Sequence, residues 1–212
     1  MILVGLTGGI GSGKSSVSAR LSQLGAVIVD ADAIVRDLQQ PGAPLLDALA
    51  ERFGAAIIRE DGSLDRAAVA TLVFADPNAL KDLNQLVHPA VGREMNRRID
   101  EQIFTKHVVV LDIPLLAENP RDGLAATIVV DCDIDIAVDR LVEHRGFSRE
   151  DAHARIARQA SREARLALAT FVINNDGSVE ELRSQVDALW TVLQALPATT
   201  ADDLRRYRDR KG

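Results

Sequence analysis

Gly8-Gly9-Ile10-Gly11-Ser12-Gly13-Lys14-Ser15 places glycines, a lysine and a hydroxyl at the spacing G-x-x-x-x-G-K-S. Residues of these types in this order can hold the phosphates of a nucleotide. The glycines let successive backbone N–H groups converge on a β-phosphate, Lys14 can bridge the β- and γ-phosphates, and the Ser15 hydroxyl can ligate Mg²⁺. An apolar run, Ile2 to Leu6, precedes the loop and a helical pattern, Ser16 to Leu24, follows it. This setting separates a phosphate site from a glycine-rich turn with a chance lysine, and the helix adds its positive N-terminus to the same site. The expected ligand is a nucleoside triphosphate.

Two further groups of acids could act beside it. Ala26-Val27-Ile28-Val29-Asp30-Ala31-Asp32 delivers two carboxylates to the end of a second strand, the edge where open parallel α/β sheets bind ligands. Phosphoryl transfer to an alcohol needs a carboxylate that orients the attacking hydroxyl and takes its proton, and Asp32 is placed for that role. An acid at a strand-to-helix turn is also a common N-cap, and for Asp30 both readings stand. Val108-Val109-Val110-Leu111-Asp112 ends an apolar strand in an acid. Asp112 either reaches the water shell of Mg²⁺ or serves the turn. Ile113-Pro114-Leu115-Leu116-Ala117-Glu118 follows it over the same edge.

The elements that must position these residues are short strands alternating with helices. Strand-like runs occur at Ile2–Leu6, Ala26–Asp30, His107–Asp112, Ala126–Asp131 and Phe171–Ile173. Such alternation predicts a three-layer α/β/α fold around a parallel five-stranded sheet. The core is expected over residues 1–32, 107–140 and 166–197. The interval 33–106 exceeds one crossover helix and reads as a helical insertion bearing a second binding surface. Its turn signals are Pro41-Gly42 and Asp61-Gly62, with a helix start at Asp76-Pro77 and a break at His88-Pro89. Arg140, Arg145, Arg149, Arg155, Arg158, Arg162 and Arg165 crowd one region. Guanidinium groups match phosphate oxygens, so 141–165 reads as a lid in which Arg140 foremost meets phosphate. Most of the others belong to a solvated face with Glu143, Glu150, Asp151 and Glu163 as partners. Residues 198–212 lose the apolar period and read as a frayed helix or solvated tail. Trp190, with Val186, Leu189 and Leu193, fits the buried stripe of the last core helix.

Composition narrows the class. The 212 residues suit one α/β core with an insertion, and 47% hydrophobic with 26% charged residues is globular. A net charge of −6 argues against general nucleic-acid binding, so any positive site must be local. No apolar run reaches the roughly 18 residues of a membrane span, and the N-terminus carries no leader pattern. The lone Cys132 reads as a packing residue in a reducing compartment. A cytoplasmic protein with no membrane association and no obligate protein partner is expected.

Gly5-Leu6-Thr7-Gly8-Gly9-Ile10-Gly11-Ser12-Gly13-Lys14-Ser15, Asp30-Ala31-Asp32 with Arg36, Pro41-Gly42, His88-Pro89, Pro114-Leu115-Leu116 with Glu118, and Gln159-Ala160 through Arg165 follow one another in an order and spacing that resemble the dephospho-CoA kinase family. The resemblance spans residues 2 to about 190. It implies ATP-dependent phosphorylation of the ribose 3′-hydroxyl of dephospho-coenzyme A, the last step of coenzyme A synthesis, on a nucleoside-monophosphate-kinase-like fold. By the same resemblance Gly11 to Ser16, including Ser12 and Ser16, hold the ATP phosphates, and Asp32 is the base. Arg36, His88 and the Pro114-Leu115-Leu116 segment lie on the acceptor side, Arg140 meets ATP and Asn175 lies beside the adenine. Ser16 stands where the family often has Thr, and Asn174 where an acid is common. Competing expectations are a kinase for another small alcohol, which would keep the loop and Asp32 but need a different insertion, and a non-catalytic nucleotide switch. No Asn-Lys-x-Asp sequence is present for a guanine reader.

Overall fold

The computed structural model describes residues 1–209. The elements run β1 (Ile2–Gly8), α1 (Lys14–Gln23), β2 (Val27–Asp30), α2 (Ala31–Leu38), α3 (Pro44–Phe53), α4 (Arg66–Ala75), α5 (Pro77–Asp100), β3 (Val108–Asp112), β4 (Ala126–Asp131), α6 (Ile134–Arg145), α7 (Arg149–Ala157), α8 (Arg162–Ala167), β5 (Phe171–Asn174), α9 (Val179–Gln194) and α10 (Ala201–Arg208). The five strands form one parallel sheet in the order β2-β3-β1-β4-β5. Every residue of β1 and β3 is buried, which is why both read as unbroken apolar runs: helices cover both faces of such a sheet. In the register, Ile2 pairs with Val108, Leu6 with Asp112, and Val4 with Ala126.

β1 is central, and the chain leaves it first towards β2 and β3 and later towards β4 and β5. The direction of winding therefore reverses at the carboxyl end of β1, the place where doubly wound sheets open a crevice for ligand. The phosphate loop occupies that turn. One face of the sheet packs on α1 and α9 through Val17, Leu21, Val186, Leu189 and Leu193, with Trp190 half-buried against them.

Two compact units are present, one of Met1–Val29 with Gln102–Gly212 and one of Asp30–Glu101. The second is helical and has its own core of Leu45, Leu46, Leu49, Ile57, Leu64 and Val69. Asp65 caps α4, and Asp76 caps α5 ahead of Pro77, the predicted start. The break expected at His88-Pro89 does not occur, because α5 runs through Pro89 to Asp100. A proline inside a helix removes one hydrogen bond and costs about 3 kcal/mol. Leu83, Leu86, Val87 and Ala90 pack on the unit's core on either side of it, and such packing supplies most helix stability in proteins.

The stretch after Pro197 also differs from the expected frayed tail. Residues 201–208 form α10, opened by a reciprocal Thr200–Asp203 capping box, with Leu204 and Tyr207 buried. A cap contributes about 1 kcal/mol and burial of a leucine about 1.5–3 kcal/mol, enough to hold an eight-residue helix that would fray alone. The segment is tied to the start of the chain, since Leu3 N–H donates to Thr199 Oγ1 at 2.8 Å and Thr199 N–H to the Met1 carbonyl at 3.0 Å. The last three residues, 210–212, lie outside the described ones.

Candidate active site

The loop between β1 and α1 is shaped by glycines that other residues could not replace. Gly11 and Gly13 have φ of +81° and +86°, left-handed values that disfavour any side chain. A Cβ at Gly8 would meet Ser12 Oγ at 2.6 Å and the Val130 carbonyl at 2.7 Å, and one at Gly11 the Ala137 carbonyl at 2.7 Å. The loop is thus pressed against β4 and α6. Gly13 is the N-cap of α1 and no side chain caps the helix. The first-turn N–H groups of Lys14 and Ser15 have no intrahelical acceptor by geometry, and Ser15 and Ser16 are exposed. An anion can take those donors.

Lys14 ion-pairs with Asp112 at the end of β3, a carboxylate whose side chain is only 4% exposed. The β1–β3 register, which sets Leu6 opposite Asp112, is what brings them together. The Lys14 ammonium has a carboxylate partner that it can exchange for phosphate oxygens.

Asn175, which follows β5, is buried and works as a brace. Its Nδ2 donates to the Ser12 carbonyl at 2.7 Å, its backbone N–H donates to the Asp131 carbonyl at 2.8 Å, and its own carbonyl accepts from Arg140 Nη2 at 2.9 Å. The side chain expected beside an adenine thus holds the phosphate loop. Arg140 lies on α6, and its Nη1 is buried without a hydrogen-bond partner, as is Ser12 Oγ. Asp176 caps the same turn. The Asp133 amide and the Asn174 side chain hold its carboxyl below the usual carboxylate range.

Gly13 and Asn175 set up a direct test. A Cβ at position 13 would collide with Asn175 Nδ2 and would sit at φ +86°. Gly13→Ala is expected to lose about 2–3 kcal/mol, from left-handed strain of about 1–2 kcal/mol and a buried hydrogen bond of about 1 kcal/mol. Thermal unfolding should show a melting point lower by several degrees. An unchanged melting point would mean that the brace carries no load.

The arginine-rich segment divides. Arg162 grips Asp131 with Nε and Nη2 at 2.6–3.0 Å, and this carboxylate pushes the Arg162 pKa further up. Arg149 pairs with Asp139, and Arg155 lies 4.4 Å from the centre of the Phe147 ring. Arg149 and Arg155 thus find partners other than the expected Glu143, Glu150 and Asp151, while the charges of Arg162 and Arg165 do act on Glu163. Arg165 lies against Gly9, where a Cβ would come within 2.9 Å of Nη2. Val138, Leu141 and Ala152 form a small cluster with Ile10 of the loop, Phe147 and Ile156. Gln159 Oε1 accepts from the Ile10 N–H at 2.8 Å. Gln159 carries no sequence signal for this contact beyond the Gln159-Ala160 through Arg165 pattern, while Arg165 is also one of the crowded arginines. Cys132 is buried, and burial pushes its thiol up, in keeping with a packing residue.

In the segment after β3, the Pro114 carbonyl accepts from Thr7 Oγ1 at 3.1 Å and Leu115 is 49% exposed. Leu116 is different: at 2% exposure it packs beside Gly5. It fixes the segment from below and offers no surface to a ligand, contrary to its expected place among acceptor-binding residues.

In the helical unit, Asp30 Oδ1 accepts from the Ala33 N–H at 2.9 Å and is the N-cap of α2. Asp32 is an exposed acid in the first turn. Arg36 approaches Asp30 at 3.9 Å with its side chain 56% exposed, and an exposed pair of that length contributes little. His88 is exposed on α5 and lines an open groove with Pro77, Leu80, Lys81, Asn84 and Gln85.

Among the described residues no three His, Cys, Asp or Glu side chains cluster for a metal, and no helix is long and apolar enough to cross a membrane. Ser15 follows Lys14 in the loop, and Asp112 is ion-paired to Lys14. This pair of oxygen donors suits Mg²⁺, which keeps most of its waters and takes one or two protein oxygens plus substrate phosphates.

A family model described as dephospho-CoA kinase matches residues 2–181 of the chain. The dephospho-CoA kinase of Streptomyces avermitilis is 48% identical over 197 residues, covering 91% of this chain and 94% of that protein. The dephospho-CoA kinase of Thermobifida fusca is 46% identical, covering 92% and 97%. Among solved structures, TT1252 from Thermus thermophilus superposes with a TM-score of 0.74 at 36% identity, over 91% of this chain and 97% of that one. The Campylobacter jejuni dephospho-CoA kinase shares the fold, with a TM-score of 0.67 at 21% identity over 91% and 97%.

Proposed function

The chain belongs to the dephospho-CoA kinase family, and from that premise we propose how its residues move the γ-phosphoryl group of ATP to the ribose 3′-hydroxyl of dephospho-coenzyme A, giving coenzyme A and ADP in the last step of coenzyme A synthesis. The observation that carries the reading is the glycine loop with Lys14 held against Asp112 at the central strand's carboxyl end. Gly8 to Ser16 receive the ATP phosphates, and Lys14 exchanges Asp112 for β- and γ-oxygens. Mg²⁺ bound with ATP would supply neutralisation of the charge that develops on the phosphates. Ser15 would ligate it, with Asp112 addressing its water shell.

Arg140 offers its unpartnered Nη1 to the nucleotide. Asn175 serves ATP from beneath by fixing the Ser12 carbonyl. We assign Asp32 the role of general base, a role supported by the division of labour in which Asp30 already caps α2. Arg36 would hold an acceptor phosphate, and His88, Pro114 and Leu115 would face the acceptor. Residues 33–106 form the acceptor-binding insertion, and 141–165 the lid, whose arginines screen the transferring group from water. A cytoplasmic location is supported by a sole cysteine that is buried and unpaired.

The test is product identity. The chain is incubated with Mg·ATP and, separately, dephospho-coenzyme A, adenosine, shikimate and nucleoside monophosphates, and products are weighed by mass spectrometry. Coenzyme A is expected to dominate. Efficient phosphorylation of another acceptor with none of dephospho-coenzyme A would overturn the acceptor assignment and leave the phosphate loop standing.

A further inference from the structure

Three segments far apart in sequence close a ring of contacts beside the phosphate loop. At the end of β1, the Ile113 N–H donates to the Leu6 carbonyl at 3.0 Å and Thr7 Oγ1 donates to the Pro114 carbonyl at 3.1 Å. At the far end of that segment, Glu118 Oε1 accepts from the Ala160 N–H at 2.8 Å. One residue back, Gln159 Oε1 accepts from the Ile10 N–H at 2.8 Å, which returns the ring to the loop two residues beyond β1. Arg165 Nη1 donates to the Ala160 carbonyl at 2.5 Å while its guanidinium lies against Gly9. The turn between α7 and α8 is therefore held from two sides, by the Glu118 carboxylate at Ala160 and through its own Gln159 side chain at the Ile10 N–H.

We infer that Gln159 and Glu118 are positioning residues, and that the Gln159-Ala160 turn couples the state of the phosphate loop to the Pro114–Glu118 segment. A closed ring transmits displacement where a single bond would not. If the loop adjusts to take phosphates, Ile10 N–H moves relative to Gln159, the turn follows, and Ala160 carries Glu118 with it. Given the assigned function, with ATP in the loop and Pro114 and Leu115 facing the acceptor, ATP and dephospho-coenzyme A would each alter the other's affinity by the same factor. Neither Gln159 nor Glu118 needs to touch either substrate for this.

Two amide protons report the two bonds, and two variants break them in the full-length chain. Glu118→Ala removes the acceptor for Ala160 N–H, Gln159→Leu removes that for Ile10 N–H, and Glu118→Gln keeps an acceptor oxygen as a rescue control. In the ligand-free protein, Glu118→Ala should speed hydrogen exchange at Ile10 as well as at Ala160, Gln159→Leu should speed it at Ala160 as well as at Ile10, and Glu118→Gln should restore both. Dephospho-coenzyme A affinity is then measured with and without the β,γ-imido analogue of ATP. The wild-type ratio is expected to differ from one by roughly 3- to 30-fold, and to collapse towards one in Glu118→Ala and Gln159→Leu.

Exchange altered only at the amide whose acceptor was removed would show two independent bonds and overturn the coupling. So would a wild-type affinity ratio of one, or a ratio that survives both variants. Failure of the wild type to bind either compound would count against the assigned function instead, and the ligand-free exchange would still decide whether the junction exists.

Discussion

Lys14→Ala is expected to lower kcat by at least ~10²–10³, the usual effect of removing one donor aimed at charge that develops in a transition state. Arg162 cannot stand in for the ammonium, because it is committed to Asp131. The variant also has a structural consequence. Asp112 loses its ion-pair partner while its side chain stays 4% exposed, and removing one member of a buried pair costs about 3–5 kcal/mol at the upper end. Lost activity in Lys14→Ala could therefore come from unfolding. Adding Asp112→Asn removes the buried negative charge that Lys14 had balanced, so the double variant should regain part of the melting temperature and none of the turnover. Activity that returns together with stability would show that Lys14 serves the fold and not the transfer.

The phosphate loop is the most legible part of the sequence. Its glycines are fixed by close approach, of backbone at Gly8 and Gly11 and of the Asn175 side chain at Gly13, and its lysine pairs with Asp112, so motif and geometry coincide over consecutive residues. The strands were legible for a different reason. Burial on both faces confines polar residues in β1 and β3 to their carboxyl ends, at Thr7 and Asp112, and the resulting apolar runs have little else they can form. Helix starts such as Asp76-Pro77 are local chemistry and could be read locally.

The features that escaped depend on contacts between distant residues. Nothing near Pro89 announces that Leu86 and Ala90 pack well enough to carry a helix across it. α10 has two buried side chains and a bond from Leu3 to Thr199, across 196 positions. Asn175 bonds to Ser12 across 163 positions and Gln159 to Ile10 across 149. Each is a polar side chain satisfying one particular backbone group, an arrangement without period or spacing. Leu116 shows the same limit from the apolar side: it belongs to a segment that reads as surface, and only the space above Gly5 makes it core.

Asp32→Asn is expected to leave ATP binding intact and to reduce kcat by roughly 10²–10⁴, the contribution of a positioned general base. Asparagine keeps the shape of the side chain and its capacity to orient a hydroxyl, but it cannot take the proton. The neighbouring acid supplies the control. Asp30 Oδ1 accepts from the Ala33 N–H, and asparagine is as good an N-cap as aspartate, so Asp30→Asn should change stability by only a few tenths of a kcal/mol and turnover far less than Asp32→Asn does. The pair of variants separates the two roles that the sequence alone left open at this turn. Single-turnover rates with saturating Mg·ATP and dephospho-coenzyme A, alongside titration of the β,γ-imido analogue, provide the measurement. A collapse of nucleotide affinity in Asp32→Asn with an unchanged rate at saturation would move Asp32 from the acceptor hydroxyl to the metal. A larger loss of turnover in Asp30→Asn than in Asp32→Asn would exchange the assignments of base and cap.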